Sequence, residues 1–199
     1  MKPVAFELER AGTVDEALAL LAGTSSDAKV LAGGQSLMPL LNFRLARPEV
    51  LVDLNPVSEL QYVSRTSSGG NGELRVGAMT RLRHLERSPD LGDRWQLVAE
   101  ALPQVAHTPI RNRGTFGGAL AHADPAGDLG APARALDAQF VIAGPGGTRT
   151  VAADDFFVDL FETAISEDEI LTEVRIPKHT GWGAHYEKFV RVAHQWPIV

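Results

Sequence analysis

The sequence predicts a mixed helix-and-strand protein built in two units, and three observations lead there. A strand–helix–strand run occupies the chain up to residue 54. Two hairpin-like pairs of strand segments, separated by helical stretches, occupy most of 60–177. The composition, 44% apolar and 22% charged, is that of an ordinary globular chain. At 199 residues there is enough sequence for one large domain or two small ones with a real core.

The elements follow in order. "AFEL" at 5–8 reads as a strand. Thr13 and Glu16 stand at capping-box spacing, and "VDEALALLA" continues with helical periodicity to Gly23. "KVLA" at 29–32 and "VLVDL" at 50–54 are short buried strands, and Asn55-Pro56 marks a turn. Between them "VLAGGQSLMPLL" reads as strand, tight turn and short helix. "LQYVSR" and "ELRVGA" flank "TSSGGNG", a hairpin with a flexible tip. Thr80 is placed to cap a helix running to about Arg87, and 93–102 is helical. A glycine-rich stretch covers 113–118, and a helix starts at Asp128. "AQFVIAG" and "TRTVAA" form a second hairpin turned at "GPGG", and "EILTEVRIP" is a strand. "AHYEKFVRV" at 184–192 reads as one more strand. The chain then stops at "QWPIV" as if in mid-element, leaving Val190, Val192, Trp196, Ile198 and Val199 as the residues expected to lie uncovered and to favour self-association. No internal repeat or low-complexity segment is visible.

Charge and cysteine usage narrow the function. The net charge of −6, with no basic stripe, argues against nucleic acid as the main partner. No apolar run is long enough to span a bilayer. The charged N-terminus lacks the apolar core of a signal peptide, so the expected compartment is the cytoplasm. There is no cysteine, so disulfides, thiolate-held zinc and iron–sulfur clusters are absent from this chain. Any redox chemistry here needs an organic cofactor.

Two glycine stretches dominate the motif search, "AGGQS" at 32–36 and "IRNRGTFGGALAHADPAGDLG" at 110–130. Glycine lets backbone approach a ligand closely and tolerates positive φ. Two such loops have the means to grip the ends of an extended anion through backbone N–H groups. On that view Gly33 and Gly117 serve the ligand, and a branched residue at either abolishes binding with the fold retained. Plain turns explain the same residues equally well. Other motifs fail on spacing. There is no G-x-G-x-x-G and no Gly-Lys pair. Gly34-Gln35-Ser36 begins a nucleophile elbow, but position 38 is Met. His84-Leu85-Glu86 lacks the cysteines of a zinc deaminase. His122, Asp124 and Asp128 read as loop and helix-cap residues rather than metal ligands. Arg44 and Arg47 read as surface or interdomain pairs, and Trp196 as a core or interface aromatic.

Taken together, "AGGQSLMPLLNFRLARPEVLVDL", "IRNRGTFGGALAHADPAGDL", "ILTEVRIP" and "YEKF" resemble the FAD-binding subunit of molybdenum hydroxylases. That family includes the medium subunit of aerobic carbon monoxide dehydrogenase and the flavin domain of xanthine dehydrogenase. The resemblance runs over essentially the whole chain. It implies an α+β, two-subdomain FAD-binding fold of the vanillyl-alcohol oxidase / molybdopterin dehydrogenase type, not a Rossmann fold. The subdomains it implies are 1–57, an α/β part, and 58–177, an α+β part. Residues 178–199 would begin a C-terminal subdomain that is largely absent.

The resemblance also implies roles for particular residues. Val30, Leu31, Ala32, Gly33, Gly34, Gln35, Ser36 and Leu37 match the loop that wraps the FAD pyrophosphate. Thr115, Phe116, Gly117, Gly118 and Ala119 match the second glycine loop; Phe116 stands where a small aliphatic residue is expected, which alters packing rather than binding. His122 and Asp124 fall near the flavin and its phosphates. Asp128 matches an acidic residue whose carboxylate contacts the cofactor, and is placed to cap its helix as well. Leu171 matches an apolar contact, and Lys188 a lysine near the flavin ring. No catalytic residue for the substrate step and no metal ligand are expected here.

The function so implied is electron transfer. An iron–sulfur small subunit and a molybdenum cofactor large subunit would pass electrons to FAD on this chain, and FAD to an external acceptor. A stand-alone FAD-dependent oxidase and a non-catalytic assembly module that has lost FAD are the rival readings.

Overall fold

The strand–helix–strand start folds into a parallel sheet whose middle strand comes last in sequence. The computed structural model describes residues 2–23, 27–66, 72–92, 95–193 and 195–198. Strand β1 (Glu7–Arg10) and strand β2 (Ala28–Leu31) flank β3 (Val50–Asp53), in the order β1-β3-β2. Leu8 and Val30 stand opposite Leu51 and Val52 respectively. Every residue of β3 is buried, as a central parallel strand requires, whereas β1 is an exposed edge rich in charge. Helix α1 (Val14–Gly23) begins with the expected box: Thr13 Oγ1 accepts from the N–H of Glu16 at 3.1 Å, and Glu16 Oε2 accepts from the N–H of Gly12 at 2.7 Å. Ala17 and Leu21 of α1 pack with Val50, Val52, Leu54 and Val57, and Met79 and Ile170 close that core from later in the chain. Helix α2 (Leu37–Asn42) follows the first glycine loop.

The second sheet is antiparallel, in the order β4-β5-β10-β6-β7. Its members are β4 (Val63–Thr66), β5 (Glu73–Gly77), β6 (Gln139–Gly144), β7 (Gly147–Ala152) and β10 (Ile170–Pro177). Val174 lies between Val76 and Phe140, and the register of β10 against β6 shifts between Leu171 and Glu173. Both expected hairpins are present; the tip of the first, 67–71, lies outside the described residues. The larger core sits on one face of this sheet. Trp95, Phe116, Phe140 and Phe156 are almost fully buried there, each contributing about 1.5–3 kcal/mol of burial. The Trp95 indole N–H reaches the Ile176 carbonyl at 3.1 Å. Around the core run α3 (Leu82–Glu86), α4 (Gln96–Ala101), α5 (Thr108–Arg113), α6 (Phe116–Ala121), α7 (Gly130–Ala135) and α8 (Ala153–Phe156). A small hairpin of β8 (Phe157–Asp159) and β9 (Glu162–Thr163) joins α8 to β10.

Several expectations are corrected. Thr80 does not cap α3; its hydroxyl donates to the Tyr62 carbonyl at 2.8 Å and accepts from the Tyr62 N–H at 3.1 Å. Asp128 does not cap α7, whose N-cap is Leu129 without a side-chain bond. Residues 184–192 form no strand: the Tyr186 N–H goes to the Glu100 carboxylate at 2.8 Å rather than into a ladder, and no described strand lies alongside. The helix of 93–102 is confined, among described residues, to α4 and the 3-10 turn after it. Of the residues expected to lie uncovered, Val192, Trp196 and Ile198 are exposed, Val190 is half-buried and Val199 lies outside the described residues. Trp196 is thus no core residue. Arg44 and Arg47 lie on the surface but bond backbone carbonyls, those of Lys2 and Arg44, rather than acidic partners.

Candidate functional site

The two glycine stretches meet. A Cβ built on Gly33 would sit 2.7 Å from the Gly114 Cα and collide with the Arg113 carbonyl oxygen. A Cβ on Gly118 would lie 3.2 Å from that of Ala32. So 32–34 pack backbone to backbone against 113–118, and α6 runs on from the contact.

The loops use their N–H groups differently. In the second, Phe116 N–H donates to the Thr80 carbonyl and Gly117 N–H to that of Ala78, both at 2.9 Å. Gly118 N–H donates to the N-cap hydroxyl of Thr115 at 3.1 Å, and Ala119 N–H to the Thr115 carbonyl at 3.0 Å. All four are satisfied within the chain. A Cβ on Gly117 would fall 2.5–2.8 Å from atoms of Ala78, so the packing of α6 against the residue after β5 by itself requires glycine there. Phe116 points into the large core, as an apolar substitute would. In the first loop, the N–H groups of Gly33, Gly34, Gln35, Ser36 and Leu37 have no acceptor among the described residues. Gly34 has φ +71°, and is the member of these Gly-Gly pairs that takes the left-handed region. Ser36, the N-cap of α2, makes no side-chain cap and is exposed. A row of unused N–H groups beside a helix start suits an anion such as a pyrophosphate without any lysine.

Polar side chains join the loops, among them Arg81, which the sequence did not single out, and Asn55, which it read only as a turn residue. Asn55 Nδ2 donates to the Ala32 carbonyl at 2.9 Å and to Asp53, while Asn55 Oδ1 accepts from Arg81 at 2.6 Å. The Arg81 guanidinium also donates to the Arg113 carbonyl. Burial and the nearby Arg113 cation lower the Arg81 pKa, and Asp53 opposes them. Gln35 Nε2 donates to the Gly33 carbonyl at 3.0 Å. The sequence signal available was Asp53 and Asn55 at the end of a buried strand, two residues apart.

A second cluster holds Asp128 and Lys188. Lys188 Nζ donates to Asp128 Oδ2 at 2.9 Å and to the Gln104 carbonyl at 3.1 Å; both charged side chains are under a tenth exposed. Tyr186 donates its hydroxyl to Asp128 Oδ1 at 2.9 Å. Burial, that bond and the Asp128 charge push the Tyr186 phenol far above its ordinary pKa, so it stays a donor. Glu100 accepts from the Tyr186 N–H, from Gln96 and from His185, which hold its carboxyl below the usual range. No hydrogen bond among the described residues joins this cluster to the glycine loops. Of the other expected site residues, the His122 ring lies 5.2 Å from that of Phe161, and Asp124 Oδ1 accepts from the Ala126 N–H at 2.9 Å in a tight turn. Leu171 is buried in the large core. Among the described residues no three His, Cys, Asp or Glu side chains converge as a metal site. An open cleft of about 390 Å³ lined by Val63, Arg83, His84, Arg87, Ser88, Pro89 and Asp90 includes no residue of either glycine loop.

Comparison with known proteins adds to this geometry. A family model described as the FAD binding domain in molybdopterin dehydrogenase matches residues 4–179. The chain is 42% identical over 199 residues to the carbon monoxide dehydrogenase medium chain of Hydrogenophaga pseudoflava, covering 98% of this chain and 67% of that one. It is 42% identical over 186 residues to caffeine dehydrogenase subunit beta of Pseudomonas sp. (strain CBB1), covering 92% and 62%. Among solved structures, a carbon monoxide dehydrogenase from Hydrogenophaga pseudoflava that lacks the Mo-pyranopterin moiety of the molybdenum cofactor superposes with a TM-score of 0.94 at 42% identity, covering 99% of this chain and 68% of that chain. The chain thus spans about two thirds of the length of such relatives.

Proposed function

Since the chain belongs to the family of FAD-binding domains in molybdopterin dehydrogenases, we propose that it is the electron-transfer flavoprotein subunit of a molybdenum hydroxylase. The observation that carries the reading is the first glycine loop, whose N–H groups from Gly33 to Leu37 stand unused where the family match runs through. When bound, FAD exchanges electrons singly or in pairs, and supplies the reversible redox centre for which this cysteine-free chain has no thiol or cluster ligand of its own.

The chain's own part is to bind and orient. Loop one receives the pyrophosphate on backbone donors, which suits a protein of net charge −6 that offers no lysine in that loop. Loop two backs it, with Thr115 holding α6 at its start and only Gly118 and Ala119 of its glycine motif reaching the surface. His122 and Asp124 continue that surface. Asp128 and Lys188 are assigned to the cofactor as well, and the hydrogen-bond count permits it. Asp128 spends one bond per oxygen and Lys188 two of its three protons, so acceptor and donor capacity remain. Leu171 supplies apolar packing behind them. We divide the chain at 57 and 177; each of its two cores is built mainly from one side of the first division, with Leu60, Met79 and Ile170 of the second part reaching into the smaller core.

Substrate oxidation takes place at molybdenum on a large partner chain. An iron–sulfur small chain relays electrons here, since the clusters need cysteines this chain lacks. An external acceptor then takes them. The cytoplasm is the compartment we propose, consistent with an acidic chain that needs no disulfides; among the described residues no helix is long and apolar enough to cross a membrane.

The test is to add FAD to the purified protein, remove the unbound cofactor by gel filtration, record the spectrum of the protein fraction and precipitate it with acid. Flavin bands with yellow colour released to the supernatant are expected. Colour kept in the pellet would overturn non-covalent binding, and no flavin bands at all would favour the assembly module. Iron and molybdenum in a preparation from the native host support the subunit reading, and substrate turnover without either favours the stand-alone oxidase.

A further inference from the structure

We propose that Asn55 and Arg81 act as a pair of positioning residues, a bracket that sets the two glycine loops at a fixed distance and aims the N–H groups of loop one before any ligand arrives. The inference rests on the FAD reading for its ligand, but the bracket itself is a property of the chain.

The geometry is a continuous relay from one loop to the other. It runs from the Ala32 carbonyl to the Asn55 amide, from that amide to the Arg81 guanidinium, and from the guanidinium to the Arg113 carbonyl. Both end carbonyls belong to the peptide that precedes a glycine, Ala32–Gly33 and Arg113–Gly114. Those are the groups that Gly33 allows into contact. A trans peptide points its C=O and N–H in opposite directions. Holding the Ala32 carbonyl towards Asn55 therefore turns the Gly33 N–H away from the bracket. Gln35 holds the next carbonyl, that of Gly33, and so aims the Gly34 N–H in the same manner. The helix bond from Met38 N–H to the Gly34 carbonyl, at 3.0 Å, continues the series. Without these holds a Gly-Gly segment has wide conformational freedom, and the ligand would have to order it on binding.

The relay also fixes which way the Asn55 amide faces. Its NH₂ serves two acceptors, the Ala32 carbonyl and Asp53, while its oxygen serves Arg81, which can only donate. No other orientation satisfies the three partners. Aspartate has the same shape as asparagine but cannot donate, so Asn55→Asp sets a carboxylate against both Asp53 and the Ala32 carbonyl. It is a near-isosteric way to open the bracket.

The test compares the full chain with Asn55→Asp, Arg81→Lys and the double variant. Lysine keeps the charge but, with a single nitrogen, spans the two partners poorly. Two quantities are read: the FAD dissociation constant, by flavin fluorescence titration, and, with no FAD added, hydrogen exchange at the bonded amides that close on each loop, Met38 and Leu54 at loop one and Leu82 and Gly114 at loop two. Each single variant is expected to raise the dissociation constant about tenfold or more, in line with loss of a charge-assisted bond. The double variant is expected to match the worse single one, because either break opens the same relay. Exchange in both loops is expected to quicken in all three, with the far-UV circular dichroism of the parent retained. Faster exchange in variants of a parent that binds no FAD would sink the FAD reading and leave the bracket standing. Unchanged exchange overturns the bracket, and if affinity nevertheless falls the two residues act on the ligand directly. Additive losses in the double variant overturn it also, since independent contacts would behave so.

Discussion

Residues 32–36 and 114–118 read alike, each a short run of glycines with a small hydroxyl residue beside it and a helix to follow. Folded, they differ in where their N–H groups go. Those of Phe116, Gly117, Gly118 and Ala119 end on Thr80, Ala78 and Thr115, so the second loop is closed on the protein. Those of Gly33 to Leu37 end on no described residue, so the first is open. Glycine content alone does not separate a loop whose N–H groups are taken up within the chain from one whose N–H groups are left open. What separates them is whether acceptors from elsewhere in the chain reach the N–H groups first. Gly33 belongs to both descriptions: its own N–H is open, while its missing side chain makes room for Arg113 and Gly114.

The harshest way to break this contrast is to put a branched side chain at Gly33 or Gly117. Either places atoms inside van der Waals contact with backbone that has little room to move. The expectation is a loss of about 2–3 kcal/mol of stability, a fall in thermal midpoint of roughly 5–10 °C. Fold and FAD binding then fail together, contrary to the expectation that these glycines serve the ligand alone. A variant that keeps the parent midpoint and loses only FAD would restore that earlier view.

Gly34→Ala separates the loops more cleanly. The new Cβ meets only side chains, Met38 at 3.2 Å and the end of Leu31 at 3.4 Å, but φ +71° is strained for alanine by roughly 1–2 kcal/mol. The chain should stay folded while its FAD affinity drops by about tenfold. Equal affinity in parent and variant would show that loop one is not the anion site.

Thr115→Val is the converse. It removes the N-cap acceptor of α6 and leaves the Gly118 N–H unpaired, for a loss of about 1 kcal/mol. Thermal melts should show that loss with FAD affinity little changed, and Thr115→Ser should restore the midpoint. A large loss of affinity without a stability change would place Thr115 on the ligand.

The mildest probe is acid. Burial raises the Glu86 pKa, but hydrogen bonds from Arg83 and Arg111 outweigh it and hold the carboxyl below its ordinary value. A lowered folded-state pKa means stability that is present above the unfolded value, about 4.3, and lost as pH falls through the folded one. Arg111 lies in α5, which leads into loop two, and also holds the carbonyls of Val105 and Ala106. Below that pH, amide signals of 108–114 should broaden or shift before those of 33–37. Glu86→Gln should remove the difference. Simultaneous loosening of both loops would show that Glu86 supports neither in particular.

How much of this was legible beforehand depended on how local the signal was. The capping box from Thr13 to Glu16 spans four residues, and the hairpin at 144–147 turns on adjacent glycines, so both were readable. The glycine motifs and their order along the chain were likewise enough to suggest the family. The strand expected at 184–192 failed because a strand exists only with a neighbour, and alternation of residue types cannot supply one. Its Lys188 and Tyr186 instead reach Asp128, about sixty residues earlier in the chain, and free that carboxylate from the capping role its position suggested.

The sequence by itself thus determined the elements whose signals are local, the pairing of glycine motifs, the need for an organic redox cofactor and the family to which they belong. Only the tertiary structure decided which loop is open. The acceptors that close loop two sit on Ala78 and Thr80, and the side chains that brace loop one against it sit on Asn55 and Arg81. Hydrogen bonds between residues so far apart in sequence leave no periodicity and no spacing to read, because they are chosen by how the two sheets come to lie together.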